Sequence, residues 1–401
     1  FQAKLLNLKK LNLKMMLNFS DASQNQHILI LIINMNKNMN KISGKIVANE
    51  NIFPGTLHFT DKIIDILESN DIQSSHLIIP GFIDLHCHGG NGFDTMDGLD
   101  AIIGLSEFHL KYGTTTLYPT TVTAPLTETK NALKGLNSYI NSNKHKTNIA
   151  GIHLEGPFIN PDKLGAQPPF SQIPNSQFIE ALCDEAPLRI MTIAPEVNNG
   201  FEFIDYLIKQ NIKPQLGHTL AEFSLCNSSI KKGVKSFTHL YNAMSGFDHR
   251  KPGAVAAALS NLDYSEVICD LIHVDSEMIK IAKNNIKNLY AITDCISAAG
   301  MKDGKYKIGS NEVFKKGNVV KLNNDTLGGS VLTMHQAFKN LIEIGFSIID
   351  AVKMTSTNAA DYIERIDIGN LSSGCNANIV VLDDKFDLLQ VFLNGETVYE
   401  K

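Results

Sequence analysis

No two cysteines in this 401-residue chain stand in C-x-x-C spacing, and the six present (Cys87, Cys183, Cys226, Cys269, Cys295 and Cys375) lie far apart. That excludes a thiolate cluster and a disulfide scaffold, and leaves reduced thiols as in the cytoplasm. Long apolar runs are missing too. The longest early one, 28–33, has six residues, too short to span a bilayer, so no membrane partner is expected. Charge of one sign is not in excess: 36 Lys and Arg face 41 Asp and Glu, a net −5. This gives no electrostatic reason to expect nucleic acid. The chain has no G-x-x-x-x-G-K-[ST] phosphate loop, no dinucleotide glycine fingerprint and no G-x-S-x-G serine elbow, which removes three common catalytic frameworks.

What is present suits a large core. Hydrophobic residues make up 43% and charged residues 19%, a globular balance. The length fits a barrel of roughly 250 residues plus a smaller unit. Residues 1–38 differ in character, being rich in Lys, Asn, Leu and Gln. They lack the apolar stretch and small-residue cleavage site of a signal peptide. We expect a non-family extension there, with the working protein starting at Met39.

From 39 to 79 short β-like runs are broken by turn residues. From 80 to 362, strand-like runs such as GFIDLHCH, IAGIHLEG, IKPQLGHT, SEVICDLI and LYAITDCI alternate with helical stretches at 99–112, 127–142, 176–184, 202–210, 220–232 and 276–285. Alternation at this spacing predicts parallel β/α units. Seven or eight of them favour a closed (β/α)8 TIM-like barrel, with an open doubly wound sheet as the alternative. From 363 to 401 the pattern is β again, with Asn394-Gly395 as a turn signal. The two β-rich ends are expected to pair into one small domain beside the barrel.

Polar residues cluster at the ends of these runs. His86 and His88, two apart in GFIDLHCHGG, share one face of a strand. Glu155 follows Ile-His-Leu and precedes Gly-Pro, an expensive place for an unpaired carboxylate. His218 in QLGHT, His239 in FTHLYNAM and Asp294 in AITDCISAAG each close a strand-like run, as does the pair Asp270 and His273. Each alone has an ordinary explanation, such as a core histidine or a capping aspartate. In a barrel the C-terminal strand ends ring one opening, so together they predict a metal-dependent hydrolase. His, Glu and Asp together suit zinc or iron(II) rather than magnesium alone.

The ordered set PGFIDLHCHG, HLEGPFINPDKLGA, GHT, THLYNAM, HVD, TDCISAAG and TLGGS resembles the amidohydrolase superfamily and, within it, the N-acetylglucosamine-6-phosphate deacetylase family. The resemblance spans about 39–401. It implies a metal-bearing barrel beside a small β-sandwich built from both chain ends. It implies metal ligation by Glu155, His218 and His239, with His86 and His88 open to a second ion, so one or two per subunit. It implies Asp294 as catalytic acid/base. It also implies substrate contacts from Asn242, Ala243, Arg250, His273, Leu327 and Gly328, with Arg250 reaching the phosphate of the neighbouring subunit in a homodimer.

Two positions depart from that family's pattern. Gln167 stands where a carbonyl-polarising histidine is usual, and its amide can donate only a neutral hydrogen bond to an oxyanion. Leu271 stands where glycine is usual. The implied reaction is hydrolysis of a phosphorylated N-acetyl amino sugar. The rivals are another amidohydrolase, such as a dihydroorotase or an amino-acid deacylase, and a catalytically inactive barrel scaffold. The first rival calls for a carboxylated lysine between two metals, and Glu155 stands at that place in the pattern.

Overall fold

The computed structural model describes residues 39–142 and 147–401; the expected extension at 1–38 lies outside the described residues. Eight parallel strands build the barrel: Phe82–Cys87, Thr114–Thr121, Ile152–Glu155, Leu188–Ile193, Lys213–Leu216, Ser236–Phe237, Tyr264–Ile268 and Asn288–Ile292. The first six form one hydrogen-bonded path and the last two pair with each other. Two seams close the ring. Leu240 N–H donates to Glu266 O at 3.0 Å, and Asp294 N–H donates to His86 O at 2.9 Å. Closure rules out the open sheet. It also buries nearly every strand position, so these runs are mostly apolar or threonine-rich rather than alternating. Thr114–Thr121, TTTLYPTT, is buried at all eight positions.

The helices Leu99–Lys111, Leu126–Ile140, Ser176–Cys183, Gly200–Lys209, Phe223–Lys232 and Ser276–Asn285 fall close to their expected bounds. The largest shift is at the fifth, expected from 220. There Leu220 N–H is given to Glu196 Oε1 at 2.6 Å and Ala221 N–H to Thr219 Oγ1 at 2.9 Å. Those amides are held by the loop that follows His218, so the helix starts later. A three-stranded element was among those absent from the sequence reading. The antiparallel strands Gly304–Ile308, Asn311–Lys316 and Val319–Lys321 follow the eighth barrel strand. Their turns use Gly309 and Gly317, both left-handed at φ 53° and 59°, where glycine carries no Cβ penalty. Those two glycines, set in an alternating run, were the available signal.

The two β-rich ends share one seven-stranded sheet. Its path runs Glu396–Glu400, Leu388–Leu393, Ile379–Leu382, Leu77–Pro80, Asn40–Ala48, Asn51–Phe59, Ile63–Glu68. Phe59 and Phe392 stand four strands apart along that path, about 19 Å if the sheet were flat. Their ring centroids are 5.1 Å apart. The sheet therefore folds over on itself, which gives the sandwich, with Ile46, Leu57, Ile78, Ile379 and Val381 buried between its faces. Asn394 and Gly395, at φ 48° and 79°, form the hairpin turn expected of that dipeptide. Leu77–Pro80 runs through Gly81 into the first barrel strand, so the sandwich anchors the strand that carries His86 and His88.

Removing one ring of the sandwich contact tests that anchoring. Phe59→Ala should cost about 3–5 kcal/mol of unfolding free energy, as large-to-small core changes do. Phe314→Ala, whose ring is 40% exposed, should stay within about 0.5 kcal/mol. Denaturant titration of both variants measures the contrast.

Candidate active site

The C-terminal ends of the strands bring the expected polar residues to one rim. His86 and His88 leave the first strand, Glu155 the third, and His218, His239 and Asp294 follow the fifth, sixth and eighth. Backbone strain marks the place. His218, His239 and Asp294 sit in the left-handed region at φ 49°, 30° and 49°, which costs of order 1–3 kcal/mol each for a non-glycine residue. Gly89 is needed at the exit of the first strand. A Cβ there would lie 2.3 Å from Phe93 O and 2.9 Å from Ser297 N.

Glu155 is the centre of the geometry. Its Oε1 lies 3.0 Å from His218 Nε2 and 2.9 Å from His239 Nε2, and those two nitrogens are 3.1 Å apart. Its Oε2 lies 3.0 Å from His88 Nε2 and 3.5 Å from His86 Nε2, with 3.2 Å between the two rings' nitrogens. Asp294 Oδ1 closes the second group, 3.3 Å from His88 Nε2 and 3.5 Å from His86 Nε2. All of these side chains are at least nine-tenths buried except the slightly more open Asp294 carboxylate.

The opposite ring nitrogens explain why the facing ones are free. His218 Nδ1 donates to Lys163 O at 2.7 Å, His88 Nδ1 to Thr120 O at 3.1 Å, and His86 Nδ1 to Glu266 Oε2 at 3.0 Å. With one proton held on Nδ1, each Nε2 is left to turn a lone pair toward a cation or to take a second proton. Lone pairs about 3 Å apart repel unless something positive lies between them. Donors set about 2.0–2.2 Å from a shared cation would be separated by about 3 Å. The residues therefore fit a divalent cation at Glu155, His218 and His239, and a second donor group at His86, His88 and Glu155.

The electrostatics agree. Burial opposes charge on every member, yet the His86 charge and hydrogen bonds from His218, His239 and His86 hold the Glu155 carboxyl well below its usual range. Burial works against the His88 imidazolium, but Asp294 and Glu155 outweigh it and raise the group to about 10. For Asp294, burial is likewise outweighed by the His88 hydrogen bond and the His86 and His88 charges, which lower it. The pocket thus attracts positive charge, whether proton or metal. His153 behaves differently. Burial and the His86 charge push it down to about 3. It packs against His86 at 4.6 Å and bonds Leu85 O and Thr192 Oγ1, a neutral support beneath the centre.

A cleft of about 340 Å³ opens over this centre, lined by His88, Glu155, Gln167, His218, His239, Asn242, Ala243, His273, Asp294 and Leu327. Gly328 lies next to it, its N–H given to Val320 O. Arg250 does not join them. It is exposed on the loop after His239, where Asp248 Oδ1 accepts the N–H of both Arg250 and Lys251 at 2.8 Å. Gln167 bridges two parts of the site. Its Oε1 accepts Thr123 N–H at 2.6 Å and its Nε2 donates to Glu155 Oε2. Leu271 holds a left-handed backbone, at φ 62°, a conformation that glycine adopts without cost and leucine does not, so this turn is strained.

Sequence reading missed two buried carboxylates. Glu266 holds His86 Nδ1 and, at 3.1 Å, the His239 N–H. Asp84 accepts Thr293 Oγ1–H at 2.6 Å and His86 N–H at 3.2 Å. The signal was a charged residue inside an apolar run, in SEVICDLI and GFIDLHCH, where only a partnered carboxylate is tolerated.

The sequence profile of the amidohydrolase family matches residues 77–398. The chain belongs to the amidohydrolase family. It is 33% identical to an N-acetylglucosamine-6-phosphate deacetylase of Bacillus subtilis (strain 168), over 82% of this chain and 87% of that one. It is 31% identical to an N-acetylgalactosamine-6-phosphate deacetylase of Escherichia coli O157:H7, over 85% of this chain and 93% of that one. A solved structure from Mycobacterium smegmatis, an aspartate-to-alanine variant of N-acetyl-D-glucosamine-6-phosphate deacetylase in complex with N-acetyl-D-glucosamine-6-phosphate, superposes with a TM-score of 0.83 at 27% identity. That match covers 90% of this chain and 99% of that one.

Gln167→Ala removes the amide that fixes Glu155 Oε2. Metal retained after dialysis against a graded chelator should fall, with affinity about 10- to 100-fold weaker, as for other residues that orient metal ligands. Retention equal to the parent protein would show that the imidazoles alone fix Glu155.

Proposed function

We propose that this protein hydrolyses the acetamide of N-acetyl-D-glucosamine 6-phosphate to D-glucosamine 6-phosphate and acetate, a step in amino-sugar breakdown and recycling. The observation that carries the reading is the convergence of His218 and His239 Nε2 on Glu155 Oε1, with the Asp294 carboxylate 3.3 Å from His88 at the mouth of the same cleft. The named activities of the similar proteins support it. The galactosamine relative gives a second reading, the C4 epimer of the same substrate.

A divalent cation, zinc or iron(II), held by Glu155, His218 and His239 would supply a Lewis acid and lower the pKa of water. His86 and His88 with Glu155 Oε2 offer a place for a second ion. Asp294 is assigned as acid/base. Its carboxylate takes the proton as water oxygen bonds to the acyl carbon. It then delivers that proton to the nitrogen as the carbon–nitrogen bond breaks, since an amine leaves well only when protonated. Gln167 has committed one amide hydrogen to Glu155, and its second remains for the developing oxyanion. Asn242, Ala243, His273 and Leu327 line the sugar side of the cleft. Arg250, exposed and away from its own cleft, is assigned to the phosphate of a partner subunit in a homodimer, where its planar fork suits two parallel hydrogen bonds. No described helix is long and apolar enough to cross a membrane, and we assign the enzyme to the cytoplasm.

Release of acetate from a panel of N-acetylhexosamines, with and without the 6-phosphate and in both C4 configurations, tests the reading. The glucosamine phosphate should give the highest kcat/KM. Preference for the galacto epimer would move the assignment to the second reading, and indifference to the phosphate would defeat both. Asp294→Asn should abolish turnover while metal content stays at the parent level; near-normal kcat would remove Asp294 from its role. Arg250→Ala should raise KM for the phosphorylated sugar about 10-fold or more, with kcat changed less.

A further inference from the structure

The cleft contains one imidazole outside the two donor groups, His273, and its ring is held by a neighbour that the proposed chemistry leaves unused. Asp270 Oδ2 accepts His273 Nδ1–H at 2.7 Å. Asp270 Oδ1 accepts the backbone N–H of both Ile272 and His273 at 2.9 Å. Both carboxylate oxygens are therefore committed and the side chain cannot swing. The two side chains are 8% and 7% exposed. The strand exit behind them is pinned by Asn340 Nδ2, which donates to Cys269 O at 2.8 Å. Between the two residues the chain passes through Leu271 at φ 62°. A left-handed leucine is a costly way to turn, and this turn is what brings the carboxylate back onto the ring. His273 Nε2 makes no hydrogen bond to another described residue, and His273 lines the cleft.

We propose that Asp270 is a positioning residue: by holding Nδ1–H of His273, it presents Nε2 as the ring's one contact atom for an oxygen of the bound acyl sugar phosphate. The inference rests on the deacetylase reading for the identity of that ligand. It also bears on the departure at Gln167. With an amide in place of an imidazole there, His273 is the one histidine lining the cleft that stands outside the donor groups.

The direction of titration agrees. Burial lowers the His273 imidazolium, and the Asp270 hydrogen bond and charge, with help from Asp294, more than reverse this, so the ring stays protonated to higher pH than a free histidine. The other charged or titratable groups lining the cleft are Asp162, Lys163, His88, His218, His239 and Glu155. Removing the Asp270 charge leaves burial opposed only by Asp294, and the donor is then lost at lower pH.

The test is Asp270→Asn, compared with the parent enzyme at equal metal content. The alkaline limb of kcat/KM should move down by about one pH unit or more. At pH 8 kcat/KM should fall about 10- to 100-fold, mainly through KM, and at pH 6 much less. An equal loss at every pH, or no loss, overturns the proposal. A second comparison guards against a folding defect. In a His273→Gln background, Asp270→Asn should change kcat/KM less than about 2-fold if Asp270 acts through the ring. A further large loss there would make it a structural residue and overturn the role. Nitrogen-15 NMR of the ring in the free protein should show a retained Nδ1 proton in the parent and its loss in Asp270→Asn. An unchanged ring signal overturns the clamp. This signal needs no substrate, so it decides the dyad even if the parent enzyme fails on every sugar phosphate and the deacetylase reading falls.

Discussion

A single buried carboxylate has to serve four imidazoles. Glu155 meets His218 and His239 through one oxygen and His86 and His88 through the other. In a low-dielectric interior an ionised carboxyl is tolerated only when paired and hydrogen-bonded. Much of the surrounding architecture answers that need. The barrel must close, because His86 and Asp294 come from strands at opposite ends of the sequence. Thr123 and Gln167 must meet, because Gln167 carries one end of the carboxylate. The first strand must be anchored from outside the barrel, and the sandwich does this.

A carboxylate so placed would be a poor choice for stability alone. Three of the four imidazoles that face it, His218, His88 and His86, are kept in one tautomer by dedicated acceptors, Lys163 O, Thr120 O and the Glu266 carboxylate. Three strand-end residues hold left-handed backbone. These are the marks of a site in which folding energy is given up to preorganise ligands. A bound cation returns some of that energy, because it binds the folded arrangement and has no such arrangement to bind in the unfolded chain.

The strand-end residues could be read from the sequence because a barrel converts order along the chain into position around a ring. Each of His86, Glu155, His218, His239 and Asp294 ends an apolar run, and all such ends meet. Helix limits followed from periodicity, except where loop hydrogen bonds after His218 delayed a start. Glu266 and Asp84 were harder. They lie within strands, one layer beneath the rim, and a charged letter in an apolar run does not say which imidazole it will meet 180 residues away, as Glu266 meets His86. The bridging role of Gln167 was also hidden, since the partner that holds it is a backbone amide, which every residue except proline has. The inserted three-stranded element carried glycine turns but no catalytic letters, and it was passed over between the motifs on either side.

The seven-stranded sheet has a consequence for synthesis. Leu77–Pro80 pairs on one side with Asn40–Ala48 and on the other with Ile379–Leu382. On the ribosome the early strands emerge long before their late partner. At roughly 5–20 residues per second, that leaves an open sheet edge for roughly 15–60 seconds. During this interval the edge is a template for any extended chain nearby. The whole catalytic barrel is made inside that interval, so a chaperone that shields exposed strands would act on this protein between its first β-hairpin and its last.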